Sequence, residues 1–147
     1  MTLQAVALAL AVILGAPPEL ARTTADEVAR AGGDEQLLAE ALVWEEHESR
    51  FGRALSGRRW DARASGILQV RDRPELERDA RGSVRAWLGL LHAGEQACGT
   101  RTGGLQALSS GHCGWAVTLV ASRQAEAAEA LYWAGVALSA AEQPWGR

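Results

Sequence analysis

The residue whose type and position most suggest chemistry is Glu48. It follows Leu37, Ala41 and Trp44 by 11, 7 and 4 residues, spacings that place it on the apolar face of a helix predicted over residues 35–51, EQLLAEALVWEEHESRF. A carboxylate there is disfavoured twice: partial burial penalises its charge, and the C-terminal end of a helix repels an anion. A carboxyl kept protonated by such surroundings near neutral pH can donate a proton to a glycosidic oxygen. Glu45 and Glu46 fall on the wetter side in this reading and suit the task less well. The plainer alternative is that Glu48 hydrogen-bonds locally at the edge of the apolar stripe.

Other candidates are weaker. Asp61, thirteen residues after Glu48, is the best second carboxylate and Asp72 the next; paired acids are the equipment of a hydrolytic glycosidase, although a loop aspartate needs no such role. Trp60, before the apolar piece Gly66–Val70, offers a ring face to a sugar or simply covers the core. Arg53, Arg58, Arg59 and Arg63 either meet carboxylates of a substrate or belong to a solvated loop. His47 faces away from Glu48 on the helix. His92, His112 and Cys113 have no metal-site or thiol-enzyme spacing, so neither a metal nor a cofactor is expected.

The elements that must position these residues are mostly helical. An amphipathic helix is predicted over ELARTTADEVARA (19–31), with Leu20, Ala21, Val28 and Ala31 as its buried side. Gly32–Gly33 ends it and Asp34 is a plausible N-cap for the Glu48 helix. Residues 52–74 carry no helical period, and a small hairpin or irregular lobe is expected there. Helical periodicity returns over 74–94, with Val84, Trp87, Leu88 and Leu91 on one face. Gly99–Gly104 reads as a glycine-rich stretch, followed by a short helix at 105–108 and a turn at Ser109–Gly111. A longer helix is expected over 115–131, with Val117, Val120 and Ala121 inward, and one more helical piece in the tail. Trp44, Trp87 and Trp115 are read as core. The fold class is therefore mainly α, with a small non-helical lobe after the candidate catalytic helix.

Composition narrows the class. The 147 residues suit one domain, and the net charge of −3 gives no nucleic-acid signature. All the positive side-chain charge is arginine. The apolar run at 2–16, TLQAVALALAVILGA, is too short to span a bilayer comfortably; it matches a signal-peptide core, or else forms the first helix of the domain. The expected organisation is a leader at 1–18, a domain at 19–140 and a tail at 141–147. Cys98 and Cys113 bracket a glycine-containing loop and are expected to form one disulfide if the chain is exported, or to be two small buried residues if it is not.

Three short strings then combine. His47-Glu48-Ser49-Arg50-Phe51 resembles the Glu-Ser-x-Phe motif that closes the catalytic helix of lytic transglycosylases, members of the lysozyme-like superfamily together with goose-type lysozymes. Ser65-Gly66-Ile67-Leu68-Gln69-Val70 resembles that family's Gly-Leu-Met-Gln motif. Ala107-Leu108-Ser109-Ser110-Gly111 stands where the family has Ala-Tyr-Asn-Ala-Gly. The resemblance covers about residues 20–128, in order. It implies a lysozyme-like helical fold with a cleft, in which Glu48 is the acid/base that cleaves peptidoglycan between N-acetylmuramic acid (MurNAc) and N-acetylglucosamine (GlcNAc). It also implies Ser49, Gln69 and Ser109 as cleft residues and Gly66 as a point of close backbone approach to substrate. The expected partner is the glycan strand, and the expected setting is periplasmic, extracellular or virion-associated. A monomer is expected, with no nucleic acid and no membrane span. Leu108 and Ser109 depart from the family's tyrosine and asparagine, and a non-catalytic glycan-binding or structural module of the envelope or a virion is the rival reading.

Overall fold

The computed structural model describes residues 2–53 and 63–142. Six α-helices and one two-stranded hairpin make up the described chain, a mainly α fold with a small non-helical lobe between the third and fourth helices.

Helix α1 (Leu3–Leu14) starts where Thr2 accepts a hydrogen bond from the Ala5 amide and ends at Gly15, whose φ of 74° closes the last turn. It buries Val6, Ala7, Leu10 and Ala11 against α2 (Pro18–Arg30), α3 (Glu35–Ser49) and α6 (Val117–Ala141). Pro18 opens α2, where a missing N–H costs nothing. Its buried side is Ala21, Thr24, Ala25, Glu27 and Val28; Ala31, expected inward, is exposed because the helix has already ended. No helix among the described residues is long and apolar enough to cross a membrane.

Helix α3 is the central element. Asp34 caps it by accepting from the Leu37 amide at 3.0 Å, and every residue from Leu37 to Glu45 is buried. A helix covered on all sides has no wet face along its middle. Glu45, read from the sequence as one of the wetter acids, is consequently fully buried.

After α3 the chain enters the lobe. Strands β1 (Ala64–Ser65) and β2 (Val70–Arg71) pair antiparallel, Ala64 opposite Arg71 and Ser65 opposite Val70. A 3-10 turn at Pro74–Leu76 leads to α4 (Ala80–Cys98), which Asp79 caps. Val84, Trp87, Leu88 and Leu91 form the buried face of α4.

The glycine-rich stretch is not a loop. Thr100 caps α5 (Arg101–Ser110), which includes Gly103 and Gly104, both buried. A Cβ on Gly94 would sit 2.9 Å from the Gly104 carbonyl oxygen, so these glycines let α4 and α5 meet backbone to backbone. Cys98 and Cys113 are joined as a disulfide with a Cα–Cα distance of 5.7 Å, closing the chain around α5.

Helix α6 runs unbroken to Ala141, absorbing the separate tail piece expected from the sequence. Its inward residues are Val120, Ala127, Ala130 and Ala134, whereas Val117 and Ala121 are exposed. Trp115, read as core, precedes the helix, is 59% exposed and lies against His112 with ring centroids 3.9 Å apart.

Candidate active site

The C-terminal end of α3, the hairpin lobe, α4 and the α5–α6 region surround a groove of about 510 Å³. Its lining includes His47, Glu48, Ser49 and Arg50 from the end of α3, and Leu68, Gln69, Val70 and Arg71 from the lobe. Leu90 comes from α4, Leu108 and Ser109 from α5, and Leu119 from α6, with Trp44 and Trp87 beneath. Residues distant in sequence thus meet at one place.

Local backbone geometry aims the end of α3. Arg50 and Phe51 take φ values of 50° and 57°, so the chain turns sharply after Ser49. Ser49 is buried there, its hydroxyl donating to the Ile67 carbonyl at 2.7 Å and accepting from the Gly52 amide at 2.8 Å. Gln69, with a φ of 50°, donates its side-chain amide to the Gly66 carbonyl at 2.8 Å, and the lobe closes on itself beside Glu48.

Glu48 sits at the boundary of the core, its side chain 32% exposed. Sequence reasoning did not supply its partner. Arg123 of α6 donates from Nη1 to Glu48 Oε1 at 2.8 Å. The Arg123 side chain is only 12% exposed, and its guanidinium carbon lies 5.2 Å from the centroid of a Trp44 ring, within cation–π reach. The two tryptophans under the groove stand 6.1 Å apart at a tilt of 51°, and neither indole N–H has a hydrogen-bond partner among the described residues.

Three other glutamates are buried, and their partners differ. Glu27 receives two hydrogen bonds from Arg85 and one from Arg81, and the Arg85 bonds lower its pKa below the usual 4.5. Glu40 is held by Arg101 at 2.9 Å and by the Gln124 amide at 3.1 Å. Among the described residues Glu45 has only the Thr24 hydroxyl at 2.7 Å, and burial pushes its pKa up to about 8 against that hydrogen bond. Glu45 does not line the groove.

The remaining sequence candidates fall as follows. Ser49, Gln69, Ser109 and Leu108 line the groove with Glu48. Gly66 does not: it is buried at a φ of 79°, and a Cβ there would lie 2.5 Å from Ser83 Oγ and 2.6 Å from the Leu76 carbonyl oxygen. Its close approach is to the protein's own interior. Asp72 is exposed, outside the lining, and paired with Arg63, which lowers its pKa. Trp60, Asp61, Arg58 and Arg59 lie outside the described residues. His47 does line the groove, with its Nε2 2.7 Å from Glu126 Oε2. Glu46, His47 and Glu126 bring ligand atoms within 4.8 Å of one another and are the described residues with the chemistry to take a cation.

The arrangement offers one carboxyl, an arginine holding it, and hydroxyl and amide groups around a groove with an apolar flank. Comparisons with family models, with curated proteins and with solved structures find no match to this chain.

Proposed function

We propose that the chain is a peptidoglycan-cleaving glycosidase of the lytic transglycosylase or muramidase type, with Glu48 as its acid/base. One observation carries the reading. The three strings that resemble the transglycosylase motifs, separated by tens of residues, supply Glu48, Ser49, Gln69 and Ser109 to a single groove. A chance scatter of weak motifs has no reason to converge in space.

In this reading Glu48 acts first as general acid, passing a proton to the oxygen linking MurNAc C1 to GlcNAc. The C1–O bond breaks with its electron pair leaving on that oxygen. The resulting carboxylate then takes the proton of the C6 hydroxyl as O6 closes on C1. The products are a 1,6-anhydro end and a free GlcNAc hydroxyl, and Glu48 is again protonated. Glu48 is the only carboxylate in the described lining, which favours this route over hydrolysis by paired acids. The substrate places the protein outside the cytoplasm, where a monomer suffices.

The test is digestion of purified peptidoglycan by wild type and Glu48→Gln, with products identified by mass spectrometry. Anhydro-muropeptides from wild type alone are expected. Reducing-end products would reassign the enzyme as a hydrolase with a second group such as Asp61, and equal rates from both proteins would end the Glu48 assignment. The rival, a glycan-binding or structural module without activity, draws on Leu108, an apolar residue on the groove wall where the family has a tyrosine.

A further inference from the structure

We infer that Arg123 is the positioning residue of the candidate site, a role that rests on the glycosidase reading above. Arg123 is the only hydrogen-bond partner of the Glu48 carboxyl among the described residues. It engages Oε1 alone, so the two oxygens are not equivalent: Oε1 is held by the guanidinium, and Oε2 has no hydrogen-bond partner among the described residues.

The anchor itself is fixed. Arg123 is mostly buried and its guanidinium lies over Trp44, a residue of α3 that is 1% exposed. Trp44 also stands one helical turn before Glu48, so α3 supplies both the carboxyl and the platform on which its partner rests. A guanidinium is planar and always charged, which suits it to hold one carboxylate oxygen in place and to balance the anion that remains once the proton has left.

The role predicts a particular kinetic signature. Arg123→Met keeps much of the aliphatic contact with Trp44 but loses the charge. Initial rates over a range of soluble peptidoglycan strand concentrations should show kcat falling about a hundredfold, the scale of losing one preorganised donor, with KM within about twofold of wild type. Arg123→Lys should recover about tenfold of that loss, because it restores a cation beside the carboxyl, though without the planar guanidinium. Thermal midpoints of all variants show whether they are folded, and the Lys variant carries the test if the Met variant is not.

A kcat for Arg123→Met within about threefold of wild type, while Glu48→Gln is inactive, overturns the positioning role and leaves the glycosidase reading standing. A loss confined to KM, or a Lys variant no better than the Met variant, also overturns it. Wild type without activity, or Glu48→Gln with full activity, removes the reading and this role together.

Discussion

The Ser49 hydroxyl donates to the Ile67 carbonyl at 2.7 Å, bonding the last turn of α3 directly to the loop between β1 and β2. The residue beside Glu48 thus acts as a structural rivet between helix and lobe. Ser49→Ala removes that bond and leaves the Gly52 amide without its acceptor. The variant should lose about 1–3 kcal/mol, read as a lower denaturant midpoint at unchanged m-value. An unchanged midpoint would mean that the lobe does not depend on this bond.

Glu45 gives a pH signature. The unfolded chain releases this proton near 4.5, whereas the folded protein holds it to about 8. The protonated form's contribution is therefore complete below the unfolded value, and stability falls as pH rises through the window until it is lost near the folded value. The slope reaches about 1.4 kcal/mol per pH unit. Glu46, raised in the same direction mainly by desolvation, adds to it. Glu45→Gln should flatten most of the decline in thermal midpoint between about pH 5 and pH 8. A wild-type midpoint that is level across that range would refute the account.

The disulfide holds α5, which carries Leu108 and Ser109. Its loop spans 15 residues, and for that length cross-linking is worth about 3 kcal/mol through the unfolded state. Reduction, or Cys98→Ser with Cys113→Ser, should lower the thermal midpoint. Equal midpoints with and without reductant would contradict this.

Gly66 makes a sharper case. Any side chain there meets Ser83 and the Leu76 carbonyl and must also adopt a φ of 79°. Gly66→Ala should cost at least about 2 kcal/mol. Tolerance of alanine, measured by equilibrium unfolding, would show that the lobe can shift away.

Asp72→Asn tests the route of cleavage. Asp72 faces solvent with Arg63 and stands outside the groove, so on the proposed reading the ratio of anhydro to reducing products should be unaffected. A change in that ratio would bring Asp72 into the chemistry.

How far the sequence revealed these features depended on the kind of signal. Caps and amphipathic faces are local, so the Asp34 cap, the buried face of α4 and the non-helical lobe were readable. The buried state of Glu45 was not, because α3 is covered on all sides and periodicity has no dry or wet side to find there. Gly103 and Gly104 suggested a loop by composition but serve the contact with α4, a relationship visible only once both helices are placed. Val117 and Ala121 were assigned inward from a short apolar pattern that many rotations of α6 satisfy. Arg123 lies 75 positions from Glu48, and nothing near either residue announces their meeting.

The backbone around the groove has a further implication. Arg50, Phe51, Gln69 and Asp72 all occupy the left-handed region without being glycine, a conformation that costs such residues on the order of 1 kcal/mol each. Three of the four belong to the two segments that deliver Glu48 and Gln69. Part of the scope for making the molecule hardier therefore lies beside its candidate chemistry: glycine or asparagine at the exposed Arg50 and Asp72 would relax the chain where rigid aim is most useful, whereas Phe51 is held in place by its buried ring. Selection for robustness and selection for turnover would pull on the same few positions in opposite directions.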